Sequence, residues 1–334
     1  MIKKLFAAVV MSISAAGAFA LPFGSQSVLV VEDDTGKILL EKNAGAVVPI
    51  ASLTKLMTAM VVIDARQNMD EMIEIDRSDV DVVKHSTSRV PVGADIPRRD
   101  VLQLALMSSD NRAAAALART YPGGPVAFKA AVRRKIVALG MQQTAIEEPT
   151  GLSPNNRSTA SDLVKMATAA SKYPEIVRIT TEKSDIININ GRGVEYHNTN
   201  RLVGAKGWDI GLSKTGYTQE AGRCLIMNIK AAGKNATMIL LNAGASSARI
   251  LDALNVRRFM TGGDKPAAMA SRDTPRVFKA RASSRVFKAR ATGPVVKMQA
   301  SSRIKVKASA RANVKSVKVS PRLRAKSVKP RRRN

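Results

Sequence analysis

Very little in this sequence can bind a metal, stack on a base or close a disulfide. The 334-residue chain has one cysteine, two histidines, one tryptophan, four tyrosines and seven phenylalanines. A single cysteine excludes an internal disulfide framework even in an oxidising compartment. Cys224 opens the apolar run Cys224-Leu225-Ile226-Met227 and reads as a buried structural thiol. His85 and His197 have no acidic or cysteine cluster beside them, so no metal-ligand pattern is present and no cofactor is called for. Acidic residues are scarce as well: 26 Asp and Glu stand against 54 Lys and Arg, a net charge of +28. Such an excess raises nucleic acid as a partner, but aromatic side chains for base stacking are few. The excess is also confined to one end.

Residues 261–334 hold 22 Lys and Arg and two acidic residues, Asp264 and Asp273, a net +20 of the total +28. This stretch is rich in Ala, Ser and Val, with Phe278 and Phe287 as its only aromatics, and it cannot bury enough apolar surface to offset the entropy of ordering. Arg276-Val277-Phe278-Lys279-Ala280-Arg281-Ala282 recurs nine residues later as Arg285-Val286-Phe287-Lys288-Ala289-Arg290-Ala291. The period is below that of stacked structural repeats, so a disordered basic extension is expected. An anionic membrane surface is its best-matched partner, and a polyanion-binding role for the whole chain is a weaker alternative. At the other end, Lys3 and Lys4 precede an apolar run from Leu5 to Ile13, and small residues lead to Ala18-Phe19-Ala20. That is a signal peptide cleaved after Ala20, with export to the periplasm expected. The apolar run is short for a membrane span. The expected organisation is thus a leader at 1–20, a body at 21–260 and a tail at 261–334.

The body begins with two strands, 27–32 and 37–41, around the turn Asp33-Asp34-Thr35-Gly36. Helical spacing covers 52–66, 100–107, 113–119, 126–139, 159–170 and 246–260, and strands are expected at 208–214, 222–230 and 237–242. Glu148 to Asn156 is loop by its Pro, Gly and Asn content. Gly191-Arg192-Gly193 lacks the context of a phosphate loop and reads as a turn. Pairing of first and last strands in one antiparallel sheet, with helices packed on it and a helical subdomain, gives an α+β fold.

Three short motifs carry the chemistry. Ser52-Leu53-Thr54-Lys55 sets a hydroxyl and an amine three residues apart, where residues share one face of a helix. Ser109-Asp110-Asn111 and Lys214-Thr215-Gly216 follow in order. A serine becomes a useful nucleophile when a neighbouring base takes its proton. Lys55 can be that base only when neutral, and at pH 7 about one ordinary lysine in two thousand is neutral. Burial lowers a lysine pKa, and so does a second cation, for which Lys214 is the candidate. Ser109 is placed to relay a proton to a leaving amine, and the Asn111 amide can bond both Lys55 and a substrate peptide. Thr215, Gly216, Tyr217 and Thr218 are candidate substrate-binding residues. Gly216 would leave room for substrate backbone, the Ser52 and Tyr217 N–H groups would form an oxyanion hole, and the Thr218 hydroxyl would meet a carboxylate. Asp110 has a structural place in its turn.

The triple motif is that of class A β-lactamases and penicillin-binding proteins. With Pro49-Ile50-Ala51-Ser52-Leu53-Thr54-Lys55-Leu56-Met57-Thr58, the chain resembles the low-molecular-mass penicillin-binding proteins, serine D-alanyl-D-alanine peptidases. Ser88 to Gly93, Leu106 to Ala114, Tyr121 to Gly124 and Trp208 to Tyr217 resemble the penicillin-binding protein 7 type of D-alanyl-D-alanine endopeptidase. The resemblance runs from about Ser27 to Met260. It implies a penicilloyl-serine transferase fold and a periplasmic enzyme that cuts peptide cross-links of peptidoglycan. It also implies acylation by β-lactam antibiotics, with Ser52 as nucleophile, Lys55 as base, and Ser109, Asn111 and Lys214 completing the site. The basic tail is not part of the shared pattern.

Three alternatives have distinct signatures. A carboxypeptidase that trims pentapeptides would use the same machinery. A class A-like β-lactamase would need a deacylating glutamate; Glu148-Pro149 superficially suggests one, but Thr150-Gly151-Leu152-Ser153 lacks the Leu-Asn that should follow, and Glu147 and Glu148 read as solvated loop charges. A silent wall-binding protein has no support, since every motif residue is present.

Overall fold

A computed structural model describes residues 23–263. The leader at 1–20 and all but the first three residues of the 261–334 tail lie outside the described residues. The chain opens with β1 (Ser27–Glu32), β2 (Ile38–Lys42) and β3 (Val48–Pro49). A 3-10 turn, Ala51–Leu53, leads into α1 (Thr54–Asp64). Then come β4 (Met72–Glu74), β5 (Asp95–Pro97), α2 (Arg98–Leu106), α3 (Asn111–Arg119) and α4 (Gly124–Ala138). They are followed by β6 (Arg157–Ser158), α5 (Ala160–Ala170), α6 (Pro174–Thr181), β7 (Ser184–Ile189) and β8 (Arg192–His197). The long strands β9 (Asp209–Thr218), β10 (Gly222–Ala231) and β11 (Lys234–Ala243) and the helix α7 (Ser246–Met260) complete the body.

The principal sheet has five antiparallel strands in the order β2-β1-β11-β10-β9. The first strand therefore pairs with the last, Leu29 opposite Ile239 and Val30 opposite Met238, as the α+β reading requires. Side chains alternate faces along a strand, and two apolar layers result. Val28, Val30, Met227, Met238 and Leu240 meet Ala253, Val256 and Met260 of α7 on one face. Leu29, Ile226, Ile239 and Leu241 meet the helical subdomain, including Leu56, Met60, Leu163 and Met166, on the other. Asp252 of α7 fastens the start of the body by accepting hydrogen bonds from the Gly24 N–H and from the Ser25 N–H and hydroxyl.

Besides the short strands β3 to β6 and the helix α6, which were not expected, two features differ from expectation. Ser52 is not in the α-helix but in the 3-10 turn before it, so the turn rather than a helix face orients its hydroxyl. Residues 184–197 form a hairpin, β7–β8, where only a turn was expected. Its connection is Asn190-Gly191, both at positive φ (53° and 78°), the geometry an Asn-Gly hairpin turn needs. Arg192-Gly193 opens the returning strand.

Candidate active site

The edge strand β9 runs beside the 3-10 turn, and α3 starts opposite, so all three motifs converge. Lys55, 1 % exposed, has three hydrogen-bond partners at its Nζ. They are the Ser52 Oγ at 3.1 Å, the Asn111 Oδ1 at 2.6 Å and the Thr150 carbonyl oxygen at 2.7 Å. Asn111 in turn donates from Nδ2 to the Ser86 Oγ at 2.9 Å. Lys214 donates to the Ser109 Oγ at 2.9 Å and to the Thr215 carbonyl oxygen at 3.1 Å. Thr215 Oγ1 donates to Thr199 Oγ1 at 2.6 Å. Backbone strain sits at the same places: Ala51 and Ser109 are non-glycine residues in the left-handed region, at φ 47° and 60°.

The electrostatics follow from burial. Desolvation brings the Lys55 pKa down to about 8, against the opposing charges of Glu148, Asp110 and Asp81. Lys214, also 1 % exposed, is held well below the usual lysine range by burial first, then by the charges of Lys55 and Arg249. Burial, not the second cation, is thus the leading cause at Lys55, and the repulsion between the lysines shows at Lys214. A neutral Lys55 has two N–H groups and one lone pair. Asn111 Oδ1 and the Thr150 carbonyl can only accept, so they take the two N–H groups and leave the lone pair facing Ser52.

A cleft of about 460 Å³ lies over this centre and is bordered by Ser52, Ser109, Asn111, Thr215, Gly216 and Tyr217. Arg201, Arg223 and Arg249 also border it and make it cationic. Arg249 is 8 % exposed and anchored by donation from Nη1 to the Cys224 carbonyl at 3.1 Å. Arg223 stacks on the exposed Tyr217 ring, 3.4 Å from its centroid. Two substrate-binding candidates also have local structural contacts. A Cβ on Gly216 would lie 3.0 Å from the Ile50 carbonyl oxygen and 3.1 Å from the Ser52 nitrogen, so the glycine lets β9 approach the nucleophile's turn. Thr218 is 8 % exposed, and its hydroxyl accepts the Ala221 N–H at 3.1 Å inside the β9–β10 turn.

Several residues at the site escaped the sequence reading. Glu148 is not a solvated charge. Its carboxylate accepts from the Thr150 N–H and hydroxyl, the Gly151 and Ser153 N–H groups and the Asn156 amide. Asn156 is fully buried and also donates to the Glu148 carbonyl. This cage shapes the loop that presents the Thr150 carbonyl to Lys55. Gly151, at φ +90°, packs so closely on the nucleophile's turn that a Cβ would fall 2.0 Å from the Ala51 carbonyl oxygen. Asp81 organises the opposite loop. Its carboxylate accepts the Val83, Lys84 and Ser86 N–H groups, bonds that hold its pKa at about 2 despite its partial burial. Asp110 caps α3 at the Ala113 N–H and accepts from Ser88 Oγ, the structural place expected of it. The Pro-Gly-Asn composition marked 148–156 as loop, but nothing local distinguished Glu148 or Arg249 from surface charges.

Comparison with known proteins agrees with this geometry. The D-alanyl-D-alanine carboxypeptidase family matches residues 15–245. A D-alanyl-D-alanine endopeptidase of Pseudomonas aeruginosa is 44% identical over 74% of this chain and 80% of its own length. One from Escherichia coli is 42% identical over 72% and 78%. Among solved structures, the Streptomyces K15 DD-transpeptidase superposes with a TM-score of 0.67 at 25% identity, covering 72% of this chain and 98% of that one. Penicillin-binding protein D2 of Listeria monocytogenes, solved in its ampicillin-bound form, gives 0.61 at 29% identity, covering 70% and 96%. With this fold, these motifs and these relatives, the chain belongs to the D-alanyl-D-alanine carboxypeptidase family of serine peptidases.

Proposed function

We propose that the protein is an exported serine endopeptidase that hydrolyses D-alanyl cross-links of peptidoglycan in the periplasm through an acyl-enzyme on Ser52. The observation that carries the chemistry is the Lys55 amine, depressed to about pKa 8 and aimed by Asn111 and Thr150 at the Ser52 hydroxyl. Neutral Lys55 takes the Ser52 proton as the oxygen attacks the D-alanyl carbonyl, a role suited to a pKa near the working pH. The oxyanion forms against the Ser52 and Tyr217 N–H groups. The proton passes by way of Ser109, held by Lys214, to the leaving amine, and the C–N bond breaks. Water then attacks the ester, a proton returns to Ser52, and the shortened donor stem leaves. Arg249 is a buried cation in the cleft, suited to a carboxylate beside the scissile amide. The Thr218 hydroxyl accepts the Ala221 N–H in the hairpin turn and keeps its own proton to donate.

Cross-links rather than terminal D-alanine are favoured by likeness: the relatives at 42–44% identity are named endopeptidases, while one named a carboxypeptidase is 30% identical. Penicillins would acylate the same serine. The test has two parts. Mature protein should form a stable adduct with a fluorescent penicillin that Ser52→Ala does not form. It should also split cross-linked muropeptide dimers, seen by mass, faster than it trims pentapeptides. Trimming without dimer cleavage would make it a carboxypeptidase, and rapid loss of the adduct would make it a β-lactamase.

A further inference from the structure

A second cavity, of about 340 Å³, shares Ser109 and Asn111 with the catalytic cleft. Its remaining lining includes Thr87, Arg89, Asp110, Tyr196 and His197, from the segment between β4 and β5, the start of α3 and the β7–β8 hairpin. Nothing in the chemistry at Ser52 uses these residues. Tyr196 is 2 % exposed, and Arg89 lies over its ring, 4.0 Å from the centroid, while donating from Nη2 to the Glu195 carbonyl at 2.8 Å. The guanidinium is therefore held in place by a ring and a backbone oxygen, with no carboxylate of its own among its hydrogen bonds. Of the two carboxylates nearby, Asp110, which also lines the cavity, accepts from Ser88 and the Ala113 N–H, and Glu195 is exposed on the hairpin.

Ser109 is the residue nearest the departing amine in the proposed mechanism, so a leaving group larger than alanine must find room beside it. A terminal D-alanine ends in a methyl group and one carboxylate. A cross-link's leaving amine carries a further peptide stem with free carboxylates of its own. We propose that this second cavity is the subsite for the leaving stem and that Arg89 receives one of its carboxylates, which makes it a specificity residue for cross-links. A planar guanidinium suits a carboxylate better than a lysine would, and the cavity's size is that of a ligand site. The inference rests on the cross-link-cleaving reading above.

The experiment compares wild type, Arg89→Gln and Arg89→Lys on three substrates: cross-linked dimers with free carboxylates on the leaving stem, the same dimers amidated there, and a penicillin. Arg89→Gln should raise KM for the free-carboxylate dimer about five-fold or more with little change in kcat. It should act on the amidated dimer as wild type does, and Arg89→Lys should recover part of the loss. Acylation by penicillin, which has no leaving stem, should stay within two-fold. Equal losses on both dimers, or a parallel loss of acylation, would overturn the subsite, and so would an unchanged KM for the free-carboxylate dimer. A wild-type enzyme that cleaves neither dimer would instead overturn the endopeptidase reading.

Discussion

The Lys55 amine and the Thr150 carbonyl oxygen are joined by a 2.7 Å hydrogen bond across 95 residues of sequence. That bond ties the proposed base to a loop held together by one carboxylate, Glu148. Base strength, base direction and loop shape are therefore one property of the site.

Acylation should follow the ionisation of Lys55. Its pKa lies below the ordinary lysine value, at about 8, and the reactive form is the deprotonated one. The penicillin acylation rate should thus rise about ten-fold per pH unit below 8 and level off above it. Stopped-flow acylation from pH 6 to 10 reads this directly. A rate that falls as pH rises through 8 would remove Lys55 as base. Lys55→Ala and Lys214→Ala should each lose most of the rate.

Glu148→Ala should slow acylation without changing how long the penicilloyl adduct lasts. The substitution leaves five donors without their acceptor and lets the Thr150 carbonyl drift from Lys55. Unmade hydrogen bonds of this kind cost about 1–3 kcal/mol each where buried, so a fall of at least ten-fold in rate and a lower melting temperature are expected. An adduct lifetime lengthened at an unchanged acylation rate would instead show Glu148 activating the deacylating water.

Gly151→Ala should be worse than a loop substitution ordinarily is. The added methyl would sit 2.0 Å from the Ala51 carbonyl oxygen in a backbone at φ +90°. Surface substitutions usually fall within about 0.5 kcal/mol; this one should exceed 2 kcal/mol by denaturant unfolding and nearly abolish acylation. A near-neutral unfolding free energy would show that the turn can move away.

For the basic tail we propose an anionic surface. The net +20 of residues 261–334 should bring the full-length protein down with anionic vesicles at low salt and release it at high salt, as screening requires. A form ending near Met260, the last residue of α7, should stay in solution in both and keep its acylation rate. Loss of acylation on truncation would make the tail part of the catalytic fold, and indifference of the full chain to vesicles would end the tether.

What the sequence made legible was whatever a local pattern encodes. The helix 246–260 and the strand 27–32 stand where their periodicity put them, and Lys55 bonds Ser52 as their spacing suggested, while Asn111 bonds Lys55 and Lys214 bonds Ser109. The β7–β8 hairpin was missed: Asn190-Gly191 carries a turn signal, but its flanking strands mix Asn and Glu with the apolar residues and hide the alternation. Glu148, Gly151 and Arg249 were not legible. Each matters through a partner far along the chain: Gly151 against Ala51, Arg249 against Cys224, and Glu148 through Thr150 to Lys55.

The pairing of β1 with β11 fixes when the site can first be assembled. Leu29 needs Ile239 opposite it before the sheet has a centre, and β9, which carries Lys214, is hydrogen-bonded to β10 on one side and lies beside the nucleophile's turn on the other. A chain threading outward from its first residue presents Ser52 and Lys55 early, as a bare serine and a fully charged lysine in water. The setting that buries Lys55 beside Ser52 is complete only when the late strands β9 to β11 have arrived. The order of the strands therefore acts as a delay, leaving the site unassembled until nearly the whole body has been made.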